Sequence, residues 1–167
     1  RKKGSILFES VKMIVEILNS DPAWPARFNA EKDRLQQLLG PLAPHIEHIG
    51  STSVPGLAAK PVIDIQVGVP SLDEFLQANG MQIMRNAGYE YQPRFEELVP
   101  FRRLFTREEN GTRLNNLHLV PADHPWLQRH IYFRNYLRQV PEARNRYESV
   151  KKQLIQREWN EMTDYAI

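Results

Sequence analysis

The chain has no cysteine among its 167 residues. Disulfides, thiol chemistry and cysteine-based zinc sites are therefore excluded. It has no apolar run near the roughly 20 residues that a membrane-spanning helix needs. It also lacks a strong excess of either charge: 22 Lys and Arg stand against 20 Asp and Glu, for a net charge of +2. Nucleic-acid binding is not demanded by that balance, although a local basic patch stays open. Internal repeats and low-complexity segments are absent. What is present, 41% hydrophobic and 25% charged residues, is the composition of an ordinary globular domain with enough apolar mass to bury a core. The absence of cysteine is compatible with a cytoplasmic location, which is the expectation.

The first ten residues, RKKGSILFES, carry basic residues but no sustained apolar core or cleavage site, which argues against a signal peptide. They read as a leader, an expression remnant or a link to something upstream. Residues 11–167 then form a single domain. Within it, VKMIVEI (Val11 to Ile17) is rich in β-branched residues and reads as a strand. The prolines of DPAWPARF suit the opening of a helix. That helix places Phe28, Leu35, Leu38 and Leu39 near one face and stops at Gly40. HIEHIG (His45 to Gly50) alternates polar and apolar residues, as does KPVIDIQVGV (Lys60 to Val69). On the second of these strands Val62, Asp64 and Gln66 share one face, and Ile63, Ile65 and Val67 the other.

Ser71, with Glu74 three residues later, opens a helix through SLDEFLQANGMQIMRNAG. VPFRRLFTRE and RLNNLHLV flank Asn110-Gly111, a strong hairpin signal. From Pro121 onward the pattern is helical, with a break near Pro141. Trp126, Ile131, Phe133, Tyr136 and Leu137 read as packing residues, and His124 and His130 as surface residues. This order favours an α/β (α+β) domain with a mixed sheet, flanking helices and a helical C-terminal part.

Asp64 is the chemical anomaly. A carboxylate on an otherwise apolar strand is costly to bury unless it is paired or binds a metal. Its bland explanation is a strand-end position meeting water or Lys60. Upstream, Gly50-Ser51 makes a turn in which a missing Cβ lets backbone and hydroxyl donors approach a phosphate. Basic residues suited to phosphate include His48, Lys60, Arg102, Arg103, Arg107 and Arg113. Arg102 and Arg103 are adjacent on a predicted strand, so only one of them faces a cleft. Arg107 and Arg113 flank the hairpin turn and fit a solvated strand edge better.

Four stretches, DPAWPARFNAEKDRL, IEHIGSTSVPGLAAKPVIDIQVGV, LHLVPADHPW and FRNYLR, together resemble the GrpB family. The resemblance runs from about Asp21 to the C-terminus. That family belongs to the nucleotidyltransferase superfamily, whose fold is similar to the palm of DNA polymerase β. The superfamily pattern is a Gly-Ser pair, a gap of roughly a dozen residues, two acids in Asp-x-Asp or Asp-x-Glu, and a third acid on a later strand. Here twelve residues separate Ser51 from Asp64.

The resemblance implies that Gly50 and Ser51 hold phosphate and that Asp64 is the catalytic, metal-holding acid; Lys60, inside the most specific block, and one of Arg102 and Arg103 are the candidate cations that neutralise the phosphate. It also implies a divalent metal (Mg, Mn or Zn) and a nucleotide or phosphorylated small molecule as ligand. The second acid is replaced by Gln66. The later strand offers His118, with Asn116 where similar proteins have a histidine. Asp64, Gln66 and His118 are the candidate metal ligands, with His48 and Asn116 beside them. In EWNEMTDYAI, Trp159 and Thr163 stand where similar proteins carry a Tyr and a Lys. A GrpB-like domain can also be attached to an enzyme such as dephospho-CoA kinase, so a protein partner is a further expectation. The sequence thus offers two functions: metal-dependent nucleotidyl transfer at an altered site, or a catalytically impaired binding or regulatory module that keeps the pocket.

Overall fold

The structure, a computed structural model, describes residues 17–155. A long helix, α1 (Ala23–Leu39), opens the described region. Trp24, Phe28, Leu35 and Leu39 are buried along it, the spacing expected for one helix face. The sheet has five strands: β1 (His45–Ile49), β2 (Ile63–Val69), β3 (Tyr89–Tyr91), β4 (Arg103–Glu109) and β5 (Thr112–Pro121). Their spatial order is β1-β2-β5-β4-β3. Only β2 and β5 run parallel; the other neighbours are antiparallel. No helix among the described residues is long and apolar enough to cross a membrane.

The expected strand from Val11 lies outside the described residues except for Ile17. Just beyond it, Leu18 exchanges two backbone hydrogen bonds with Ala59, each 2.9 Å. The expected single helix after Ser71 is two helices, α2 (Leu72–Gln77) and α3 (Gly80–Asn86). Asn79 separates them in a left-handed conformation at φ 57°, which helical backbone does not accommodate. Ser71 caps α2 as expected, accepting a 3.0 Å hydrogen bond from the Glu74 N–H. The strand read from Val99 begins only at Arg103, because Glu96 to Phe101 form turns. At the hairpin Asn110 and Gly111 both adopt positive φ, the geometry that matches the twist of the flanking strands. Strand β3 was not read from the sequence; three residues are too short for an alternation signal.

Strand alternation gives the sheet two different faces. Ile63, Ile65, Val67, Leu117 and Leu119 are fully buried and join α1, Phe75 of α2 and Met84 of α3 in the main core. The opposite face carries Glu47, Asp64, Gln66, Asn116 and His118. Helices α4 (Pro125–Gln139) and α5 (Pro141–Leu154) attend this polar face. Of the α4 packing residues, Leu137 is buried, whereas Phe133 and Tyr136 are about half exposed. His124 and His130 are half-buried instead of surface residues: His124 stacks on Phe101 and His130 lies against Trp126.

Candidate functional site

The site is built where β1 ends and β2 begins. β1 leaves the sheet at Gly50, which adopts φ 70°. A Cβ at Gly50 would overlap the Asp64 carboxylate. Glycine is therefore required twice over, for its backbone angle and for the close approach. Ser51 to Ser53 then make one tight turn. Ser53 closes it by donating its hydroxyl to the Gly50 carbonyl at 2.6 Å.

Asp64 lies beside this turn. Its Oδ1 accepts a 2.9 Å hydrogen bond from the Asn116 side-chain amide on the parallel neighbour β5. Burial pushes the carboxyl up to about 6, against the downward pull of the Asn116 hydrogen bond and the positive charges of Lys151 and Lys60. Lys151 is the residue that sequence reasoning missed. From α5 it donates to the Ser51 hydroxyl at 2.9 Å and to the Ala58 carbonyl at 2.8 Å. Burial lowers its pKa to about 8, with the Asp64 and Glu148 charges opposing the shift. Tyr147, one helical turn earlier, also hydrogen-bonds Ser51, and burial raises its hydroxyl pKa. Lys60 is half-buried and shifted downward by burial, with Asp64 pulling the other way. The Tyr147–Lys151 spacing of four residues puts both on one face of a helix. The resemblance asked for a Tyr and a Lys near the site and placed them at Trp159 and Thr163; the structure brings such a pair to the turn from positions 147 and 151.

The C-terminal helices also clamp the loop from outside. Arg138 donates twice to the Ser53 carbonyl, at 3.0 and 2.7 Å. Arg134 joins the His48 carbonyl at 2.8 Å and the Glu47 carboxylate at 2.6 Å. The Gly-Ser turn is thereby pinned by side chains from two helices, α4 and α5.

The remaining predicted residues divide. Asn116 belongs to the Asp64 cluster. Gln66 shares its face but is fully buried; its amide donates to the Leu127 carbonyl at 3.3 Å, and its Oε1 has no partner. His118 lies on the same face, tilted against Trp126 and with Nδ1 3.4 Å from the Arg102 guanidinium. Burial first, then Arg102, lowers His118 to about 3. His48 sits on the opposite face, stacked on Phe28 and 3.0 Å from the Thr52 hydroxyl. It braces the turn from the core side and is not part of the Asp64 cluster. Arg103 turns to Glu96 and the Pro100 carbonyl. Arg107 is no solvated edge residue: it donates to buried Glu31 at 2.8 Å. Arg113 pairs with Glu108 at the surface. Trp159 and Thr163 lie outside the described residues.

A two-metal centre needs several oxygen ligands with negative charge. Among the described residues no three His, Cys, Asp or Glu side chains group so as to hold a metal ion. The candidate ligands supply one carboxylate at Asp64, a buried amide at Gln66 and, at His118, an imidazole turned to Arg102 and Trp126, while Asn116 donates to the Asp64 carboxylate. Two lysines already act on Asp64 electrostatically. These donors do not fit a two-metal centre.

The mixed sheet, the Gly-Ser turn after β1 and the acid on β2 define a nucleotidyltransferase-like α/β domain with a reduced acidic site. The chain belongs to the GrpB family: a family profile described as GrpB protein matches residues 14–167. It is 36% identical over 160 residues to the UPF0157 protein YqkA of Bacillus subtilis, covering 92% of this chain but only 43% of YqkA. A dephospho-CoA kinase of Mycolicibacterium paratuberculosis is 29% identical over 91% of this chain and 42% of its own length. The crystal structure of the conserved protein GrpB from Enterococcus faecalis superposes with a TM-score of 0.74 at 36% identity, covering 84% of this chain and 83% of that one.

Proposed function

We propose that this domain binds a nucleotide or a phosphorylated small molecule at the Gly50-Ser51 turn and does not transfer nucleotidyl groups by two-metal chemistry. One observation carries the reading: Lys151 reaches the Ser51 hydroxyl at 2.9 Å beside Asp64, while the positions of the further acids hold Gln66, Asn116 and His118. A hydroxyl and an ammonium converging on one point, with Lys60 nearby, form an anion cradle. Asp64 sets its edge and accepts donors, such as a ligand hydroxyl. The site thus keeps the phosphate-facing half of the superfamily pocket and lacks the metal-facing half. A role as a helper module fits the match to part of a dephospho-CoA kinase, and a cytoplasmic setting goes with a phosphorylated ligand.

Titration calorimetry with inorganic phosphate and ATP, each with and without Mg²⁺, tests this. Binding is expected without metal, and weakened at least tenfold in Lys151→Met. Binding that requires Mg²⁺, is lost in Asp64→Ala and is accompanied by pyrophosphate release would overturn the proposal in favour of transfer.

A further inference from the structure

Arg102 is the cation that the pocket just described leaves unexplained. Arg103, Arg107 and Arg134 each reach a glutamate. Among the described residues Arg102 reaches none. Its guanidinium lies 5.9 Å from the Trp126 ring centre, and one Nη is 3.4 Å from His118 Nδ1. Its Nε is buried with no hydrogen-bond partner. Burial disfavours its charged form, and His118, held neutral, offers a lone pair but no negative charge. A half-buried guanidinium that meets no carboxylate is costly unless an anion reaches its accessible nitrogens. Its planar fork suits a phosphate or carboxylate held by two bonds.

The sheet fixes where this cation lies relative to the Ser51–Lys151 pocket. Asp64 is paired with Asn116, and His118 pairs with Gln66 two residues further along the same face. Strand geometry separates Asp64 from His118 by about 7 Å along the strand and about 5 Å across it. Asn116 and His118 are both half-buried and line the interval between the two cationic ends.

We infer that Arg102, backed by Trp126 and His118, is a second anion-recognition point, and that the ligand is an extended molecule with two anionic groups. One is a phosphate at Ser51 and Lys151; the other is a phosphate or carboxylate at Arg102, on the order of 10 Å away. The inference rests on the phosphate pocket proposed above and names the class of ligand it takes.

Calorimetry on the full chain with fructose 6-phosphate, fructose 1,6-bisphosphate and 6-phosphogluconate separates the two ideas. At least one of the two bis-anions should bind tenfold or more tightly than the monophosphate, and which one does identifies the second group. Arg102→Gln should reduce that ligand to the monophosphate's affinity and leave the monophosphate unchanged. Arg102→Lys should recover part of the advantage. Equal affinities in the parent, or an advantage that survives Arg102→Gln, overturn the inference and leave the phosphate pocket standing. No binding of any of the three overturns both. If Arg102→Gln loses its cooperative thermal transition, the parent's own selectivity and Arg102→Lys decide.

Discussion

Asn115 and Asn116 are neighbours on β5 that point to opposite faces of the sheet, and each leads to a carboxylate. Asn115 reaches the Tyr89 hydroxyl, which donates to Glu31 at 2.9 Å. Glu31 also accepts from Arg34 at 2.7 Å and from Arg107 at 2.8 Å, so both of its oxygens are used. Asn116 reaches Asp64, which has this amide donor and two lysines nearby instead of bonded arginines. Both acids are drawn into the protein, yet only one is fully paired. A satisfied buried network fixes structure, whereas a buried carboxylate with one amide donor and two lysines beside it keeps a perturbed charge of the kind that clusters at functional sites.

That contrast can be broken from either side. Glu31→Ala should have the largest effect on folding, about 3–5 kcal/mol, because it leaves two partly buried arginines without their shared anion; urea denaturation measures it, and a loss below about 1 kcal/mol would mean that the network is not structural. Gly50→Ala should come next, at about 2 kcal/mol or more, from the left-handed backbone and the overlap with Asp64. The same variant should lose phosphate binding, so a stable, binding-competent Gly50→Ala would contradict the turn geometry.

Asp64→Asn should do the reverse of Glu31→Ala. A carboxyl raised to about 6 when folded, from 3.8 when free, holds its proton more tightly in the folded state, so its contribution to stability falls as pH rises through that window. Neutralising it should therefore stabilise the chain at pH 7, by about 1 kcal/mol; thermal unfolding reads the change, and a lower Tm would show that Asp64 is structural after all.

The last effect is a matter of slope. His48, lowered to about 4, and His118, lowered to about 3, take up protons on unfolding below their free value of 6.5. Stability should thus fall as pH drops from 6.5 toward 4, with Asp64 opposing the fall below about 6. In Asp64→Asn the opposition is gone and the acid-side loss should be steeper. An unchanged slope would place the Asp64 shift elsewhere.

Much of the site's location was legible. Gly50, Ser51 and Asp64 stand at a telling spacing, and alternation put Asn116 and His118 on a shared strand face. The alternation of β1 and β2, the hairpin at Asn110-Gly111 and the cap at Ser71 were equally plain, because each is a local signal. A Tyr and a Lys at the site were expected from the resemblance but read at Trp159 and Thr163; Tyr147 and Lys151 themselves were not singled out, since an amphipathic helix carries no mark of the loop it will meet. Arg107 misled for a related reason: beside a hairpin turn it looks solvated, and only the packing of α1 across the sheet brings Glu31 to it. His124 and His130 looked superficial because the aromatic cluster around Trp126 and Phe101 joins segments from different elements.

The sequence by itself determined the family, the polar and apolar faces of the central strands, and the absence of a second acid at Gln66. Those follow from residue identity and short-range periodicity, which the chain carries wherever it folds. Only the tertiary structure decided that Asp64 is left with one amide and two lysines while Glu31 is closed by arginines. Whether a buried charge is satisfied depends on side chains arriving from distant elements, and that pairing is set by how α1, α4 and α5 dock on the two faces of one sheet.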